Sequence, residues 1–303
     1  MEQQPSILKE IRPHGTKSFP CAIYRTHSVG KGTLVKHHWH EEVEILYFSS
    51  GKFRLEVNME SFPLPSECFC FINPGELHSI ITETSDSHFE DAVVFSLGIL
   101  SFDSYDEAQI HLLRPIQNGK LLFPRFLAPQ HPAFVPVRNA FTDIMHSFGQ
   151  SPAEGSFDSQ LVTDNFTSQL YIKASLLYIL ATLSSHRLFT PTEKDLDKRV
   201  ESIKTALTYI SDNYQNKIYI SDLARQVNLN GQYFCRLFKK AIGRSPMAYI
   251  NEYRIRQAKR LLENTDIAVT EVCLECGFNN LGNFMHEFRR ATGTTPLQYR
   301  KKS

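Results

Sequence analysis

The feature that most constrains this chain is a repeat near its C-terminal end. Phe238-Lys-Lys-Ala-Ile-Gly243-Arg-Ser245-Pro246 recurs as Phe288-Arg-Arg-Ala-Thr-Gly293-Thr-Thr295-Pro296, at an offset of 50 residues. Phe234 and Phe284 keep the same offset. One residue out of step, Ala224, Val227 and Leu229 match Cys273, Cys276 and Phe278. Self-similarity at a fixed period means two copies of one supersecondary unit.

Each copy reads as two short helices joined by a tight turn. In the first copy Ser221 is a good N-cap, because its hydroxyl accepts a free backbone N–H. Leu223, Ala224 and Val227 give the first helix an apolar stripe, and Asn228 tolerates a left-handed turn. The second helix is expected over about 231–241, with Phe234, Leu237 and Phe238 inward and Gly243 at the C-cap. The second copy runs from Thr270 to Cys276, turns at Gly277 and continues as a helix over 280–291. Ser245-Pro246 opens the helix between the copies, with proline where its missing N–H costs nothing. Two such helices, the second carrying Arg236, Lys239 and Lys240, make a helix-turn-helix.

Charge is divided along the chain in the same way. Residues 199–303 hold 17 Lys+Arg against 9 Asp+Glu, a net of +8. The other 198 residues hold 16 against 23, a net of −7, which leaves +1 overall. A basic segment on a near-neutral chain suits an anionic partner, with nucleic acid first.

On these residues the segment 200–302 resembles the DNA-binding domain of the AraC/XylS family, in which a long helix joins two helix-turn-helix units. The resemblance is carried by Ile220, Asp222-Leu223-Ala224, Tyr233-Phe234, Arg236, Phe238-Lys239, Gly243, Ser245-Pro246, Tyr249, Arg254, Ala258, Leu261-Leu262, Val272, Gly277-Phe278, Phe284, Phe288, Gly293, Thr295-Pro296 and Tyr299-Arg300. It departs at Cys273, where alanine is usual, and at Asn283-Phe284, where Tyr-Phe is commoner. It implies a transcription regulator that binds double-stranded DNA, as a homodimer and with RNA polymerase as a further partner. Base-facing positions would be Asn230, Gly231, Gln232, Cys235 and Arg236 in the first unit. In the second they would be Asn279, Asn280, Gly282, Asn283 and His286. Glutamine can read adenine, and arginine can read guanine through two hydrogen bonds. Lys239, Lys240, Arg289 and Arg290 fall further along and are expected at phosphates. Cys273 and Cys276 form a C-x-x-C pair, but no second Cys/His pair with zinc spacing lies nearby, so packing is the expected role.

The N-terminal part has a different period. VEILYF (43–48), FRLEV (53–57), CFCFI (68–72) and DAVVFSL (91–97) are short apolar runs between turn signals, as in a β-sandwich or barrel. Within it stands Gly32-x5-His38-Trp-His40-x3-Glu44-x6-Gly51, then Pro74-Gly75-Glu-Leu-His78. On a strand His38 and His40 share a face, and Glu44 keeps that parity if the strand continues. His78 can return to the same place after a turn. Three imidazoles and a carboxylate suit a divalent metal such as zinc, iron, nickel or manganese. The spacing is similar to the first motif of the cupin barrel, with a shortened second motif in which Glu67 replaces a usual glycine. The resemblance covers roughly 20–100 and implies a sensor for a small-molecule effector, often sugar-like. His38, His40, Glu44 and His78 are therefore candidates both for a metal and for the effector. Trp39, the only tryptophan, is a further candidate for lining the pocket, with packing as the plainer role.

Apolar residues then recur every three to four positions over 133–148 and 160–184, the second stretch through Leu161, Phe166, Leu170, Ile172, Leu176, Leu177, Leu180 and Leu183. These are amphipathic helices, separated by Pro152 and Gly155. The expectation is an α+β protein: a cupin-type β-barrel over 1–130, a helical dimerisation or linker segment over 131–198, and an all-α double helix-turn-helix over 199–303. MEQQPSILKEIRPHG has no apolar leader core, and six scattered cysteines suit reduced thiols, so a cytoplasmic protein with no membrane partner is expected. Two alternatives remain at this point. One is a metal-dependent cupin enzyme fused to a DNA-binding domain. The other is a regulator whose cupin only dimerises.

Overall fold

The computed structural model describes residues 9–10, 12–65, 67–102, 106–148, 161–192 and 194–301. Pro152 and Gly155 lie outside the described residues. The chain divides into two compact units, one over residues 10–194 and one that takes in Lys9 and the residues from 195 onward.

The first unit opens with eight strands: β1 (Cys21–Val29), β2 (Gly32–His38), β3 (Val43–Ser50), β4 (Phe53–Val57), β5 (Glu60–Pro63), β6 (Cys68–Ile72), β7 (His78–Thr82) and β8 (Ser87–Phe95). Helical turns follow, ending in α1 (Arg114–Gln117), then the short strands β9 (Leu121–Leu122) and β10 (Phe126–Leu127). The helices α2 (Phe134–Ser147) and α3 (Phe166–Ser185) and the short strand β11 (Thr190–Pro191) complete the unit. One antiparallel sheet has the order β1-β8-β3-β6-β10, the other β2-β7-β4-β5, and β11 pairs with β9.

The apolar runs are explained by burial on two sides. Alternate residues of a strand point to opposite faces, yet Val43, Ile45, Leu46 and Phe48 of β3 are all inaccessible. Leu46 and Phe48 pack between the sheets with Phe53, Leu55 and Ile80. Val43 and Ile45 pack on the outer face with Phe69, Phe71, Val93 and Phe95, under Phe141 of α2 and Ile172, Leu176 and Leu180 of α3. The helices expected as a segment of their own thus cover the five-stranded sheet and belong to its unit.

The stripe expected along 160–184 divides between two faces of α3. Ile172, Leu176, Ile179, Leu180 and Leu183 are buried, whereas Phe166 and Leu170 are 76% and 62% exposed. Both faces carry apolar residues at helical spacing, so periodicity could not separate them. Asn165 starts the helix by accepting from the N–H groups of Thr167 and Ser168 at 2.9 and 3.2 Å.

The second unit holds α4 (Lys194–Asn213), α5 (Ile220–Gln226), α6 (Gly231–Ile242), α7 (Pro246–Asn264), α8 (Val269–Glu275), α9 (Leu281–Thr292) and α10 (Pro296–Arg300). The two copies repeat their turn in detail. Leu229 N–H donates to Ala224 O at 2.9 Å, and Phe278 N–H to Cys273 O at 3.0 Å. Asn228 and Gly277 occupy the left-handed conformation, with φ 54° and 77°. Gly277 is needed there for a second reason: a Cβ would stand 2.3 Å from Tyr214 O. Gly243 and Gly293 close α6 and α9 in the left-handed conformation, and Ser245 and Thr295 cap the helices that follow.

One cap differs from expectation. Tyr219, not Ser221, holds the N-cap position of α5, because the carboxylate of Asp222 accepts from Tyr219 N–H at 3.3 Å and starts the helix two residues earlier. Cys273 and Cys276 are buried with Phe278, Phe284 and Phe288, as packing requires. Arg254 is buried on α7 and donates to the carbonyls of Tyr214 and Asn216, each at 2.8 Å. Among the described residues no helix is long and apolar enough to cross a membrane.

Candidate effector and DNA-binding sites

The four residues singled out in the N-terminal unit come together, although not by the expected route. β2 ends at His38, and the chain turns at Glu41 and Glu42 before β3 begins. Glu44 therefore reaches the cluster from β3, in the opposite sheet. The strand cannot continue because His40 turns inward on local bonds: its Nδ1 donates to Glu42 O at 3.1 Å, and its own carbonyl accepts from Gly75 N–H at 2.7 Å. That second bond ties His40 to the turn delivering His78. The turn is braced by Glu76, whose carboxylate accepts from Asn73 N–H at 2.8 Å and pairs with Arg125. His78 then faces His38 directly across the β2–β7 pair, with ring centroids 4.2 Å apart.

The imidazoles are fixed through one nitrogen each. Nδ1 of His38 bonds Lys36 O at 2.9 Å, and Nδ1 of His78 bonds Glu76 O at 2.9 Å. A carbonyl oxygen only accepts, so Nδ1 carries the proton in His38, His40 and His78. In a neutral ring the Nε2 lone pair is then left facing the cluster. His78 Nε2 lies 3.0 Å and His40 Nε2 3.5 Å from Oε2 of Glu44. His40 Nε2, His78 Nε2 and Glu44 Oε2 are buried, and none makes a hydrogen bond.

The charge states follow from this crowding. Burial pushes the pKa of His38 down to about 3, with His78 adding to the effect, so the ring is neutral near pH 7. Burial opposes charge on His40 too, but the Glu44 carboxylate beside it, with Glu42 and Glu10 adding to it, outweighs burial and raises its pKa. Burial would raise Glu44, yet His40 and His78 hold it well below the usual carboxylate range.

The donor set fits a divalent cation. Buried acceptors aimed at one another repel unless a positive charge stands between them. Metal-bound histidines characteristically donate their other N–H to a backbone carbonyl. The atoms of His38, His40 and His78 lie within 4.8 Å of one another. Trp39 is buried, and its carbonyl accepts from Glu10 N–H at 2.9 Å, so its backbone anchors the segment ahead of β1.

That segment supplies two residues that sequence reasoning missed. Glu10 Oε2 lies 3.3 Å from His38 Nε2, and His14 Nε2 lies 3.6 Å from Glu10 Oε2. They precede the first strand and belong to no motif. Their four-residue spacing was the only sign, and it carries no weight outside a helix.

In the second unit, Gln232, Arg236, Lys239 and Lys240 are exposed on one face of α6, and Cys235 beside them is half-buried. Asn230 caps α6, accepting from Tyr233 N–H at 2.8 Å. Asn279, Asn280, Asn283, His286, Arg289 and Arg290 are exposed at and along α9. Three of them are partly engaged, His286 through Nδ1, which lies 3.4 Å from Glu287 Oε1. The Asn280 side-chain oxygen caps α9 by accepting from Asn283 N–H at 2.9 Å. Arg290, expected at a phosphate, donates to Glu287 at 2.5 Å.

Comparison with known proteins agrees with this division. Residues 20–114 match the AraC-like ligand binding domain, and residues 223–302 match a helix-turn-helix domain. The chain is 27% identical over 299 residues to an uncharacterized HTH-type transcriptional regulator, YdeC, of Bacillus subtilis (strain 168), covering 97% of this chain and 96% of that one. It is 25% identical to a second such regulator, YdiP of Escherichia coli (strain K12), over 88% of this chain and 81% of that one. The melibiose operon regulatory protein of Escherichia coli (strain K12) is 32% identical over 101 residues, 33% of each chain. With an AraC-like ligand binding domain over residues 20–114 ahead of a helix-turn-helix domain over residues 223–302, the chain has the domain arrangement of an AraC-type DNA-binding transcriptional regulator.

Proposed function

We propose that this protein regulates transcription in the cytoplasm by coupling a metal-containing effector site in the N-terminal unit to sequence-specific DNA binding by α6 and α9. The observation that carries the first half is the convergence of half-buried His38 with the buried acceptors of His40, Glu44 and His78. A divalent ion there would supply a Lewis-acid anchor for an oxygen group of the effector. The imidazoles and carboxylate around it suit hydroxyl groups, so the effector is a polar, sugar-like molecule. The second half rests on Gln232 and Arg236, exposed near the N-terminal end of α6, and on Asn283 and His286, exposed in the first half of α9, with His286 at the place of Arg236. Helices of this kind present their first turns to base edges in the major groove. Lys239, Lys240 and Arg289 lie further along, where phosphates pass.

The outer face of α3 supports a homodimer. Phe166, Leu170, Tyr171 and Tyr178 form an exposed apolar patch, and such patches mark protein contacts. The experiment is a thermal-shift screen of zinc, nickel, manganese and a sugar panel, followed by DNA binding with each hit. Metal and sugar should together raise the melting temperature and change operator affinity. His40→Ala should abolish that response and leave basal DNA binding intact. A His40→Ala protein that answers its ligand with unchanged affinity would overturn the reading.

A further inference from the structure

The Glu10–His14 segment meets the histidine cluster with ligand chemistry of its own. The atoms of Glu10, His14 and His40 form a second group within 4.8 Å, and His40 also belongs to the group with His38 and His78. The two groups therefore adjoin.

The Glu10 carboxylate divides its tasks. Oε1 accepts from Arg12 Nε at 3.1 Å, which leaves Oε2 against His38 and His14. His14 is buried, and its Nδ1 bonds Tyr24 OH at 2.7 Å. Its Nε2 makes no hydrogen bond. Neighbouring donors on one ion, each at about 2.0–2.2 Å, stand about 3.0–3.5 Å apart whether the ion is tetrahedral or octahedral. Glu10 lies 3.3 Å from His38 and 3.6 Å from His14, close to that spacing.

We propose that Glu10 and His14 are metal ligands, and that the segment ahead of β1 is a strap whose seating depends on the ion. This rests on the metal-containing site proposed above. The barrel residues hold the ion from inside, and the strap closes it from the half-exposed side where His38 and Glu10 lie. Removing the ion leaves the Glu10 carboxylate beside the Nε2 lone pair of His38 and weakens the strap's attachment. The strap thereby reports metal occupancy at the surface of the unit.

The test uses the full chain, stripped of metal by a chelator, with zinc as the probe. Isothermal titration gives zinc affinity, and trypsin cleavage after Lys9 gives strap seating. Zinc should slow that cleavage at least tenfold in the wild type. Glu10→Gln should weaken zinc binding by at least about tenfold and remove the protection, and His14→Ala should act in the same direction. His78→Ala should lose zinc binding altogether. Melting curves without metal show whether each variant folds, and Glu10→Gln keeps the side-chain shape. If Glu10→Gln and His14→Ala both bind zinc as the wild type does while His78→Ala does not, the strap is wrong and the barrel site stands. If the wild type binds no zinc, both fall.

Discussion

Nε2 of His78 stands 3.0 Å from Oε2 of Glu44, and neither atom makes a hydrogen bond. The residues come from different sheets, β7 and β3. Because His78 bonds Glu76 O through Nδ1, Nε2 is the ring atom turned toward the carboxylate. A positive charge between them, from a bound ion or from a proton on the ring, makes that approach favourable.

A ligand that binds the folded state alone raises its stability, by about 2.7 kcal/mol at a free concentration 100-fold above Kd. Zinc or nickel should therefore raise the melting temperature of the wild type, and a chelator should reverse the rise. His78→Ala and Glu44→Gln should not respond. A response of the same size in His78→Ala would remove the ion from this cluster.

Arg236 and Lys239 lie on one exposed face of α6 but should affect DNA differently. Arg236→Ala should cost roughly 1–3 kcal/mol at a specific site and relax preference at one base. Lys239→Ala should weaken binding to all sequences and lower the salt slope by about 1. Equal losses on operator and random DNA for both variants would put α6 elsewhere than in the groove.

The two faces of α3 separate folding from association. Leu176 is inaccessible against the sheet, so Leu176→Asp should prevent folding of the first unit. Leu170 is 62% exposed, so Leu170→Asp should fold normally and give monomers. Sedimentation of Leu170→Asp as a folded dimer would take this face out of the interface.

Gly277 and Gly243 share a left-handed backbone but not the same surroundings. A Cβ at Gly277 would strike Tyr214 O, whereas one at Gly243 meets nothing within 4 Å. Gly243→Ala should cost about 1 kcal/mol for conformation alone, and Gly277→Ala clearly more. Denaturant melts of the two variants give the comparison, and equal midpoints would contradict the close approach.

Glu90 is buried on β8 opposite Thr26, and burial, with the charge of Glu44 adding to it, raises its pKa to about 8. The folded state keeps a proton that the unfolded chain releases near the ordinary carboxylate value. Stability should therefore fall as pH rises from about 5 to about 8. Glu90→Gln should flatten that part of the profile and gain most over the wild type near pH 8. Parallel slopes for the two proteins would show that another group titrates.

Much of the second unit was legible because its signals are local. A cap, a left-handed turn residue and a 3.6-residue apolar stripe each act within one or two turns of chain. A 50-residue repeat then states them twice. Ser221 misled because Asp222 reaches back to Tyr219, a competition between two caps that only the folded backbone resolves.

The first unit divides differently. His38, His40, Glu44 and His78 could be chosen from spacing, because alternation along a strand and a turn are short-range geometry. That Glu44 arrives from the opposite sheet, and that α3 buries Leu176 while exposing Leu170, depends on which surfaces pack together. Glu10 and His14 had no signal at all. They join the cluster through a backbone bond to Trp39 and through Tyr24, contacts 29 and 10 residues apart in the chain. Local rules of capping, alternation and helical period lie within a few residues and are written in the sequence. The meeting of distant side chains in a buried cluster is set by the packing of whole sheets, and only the tertiary structure decides it.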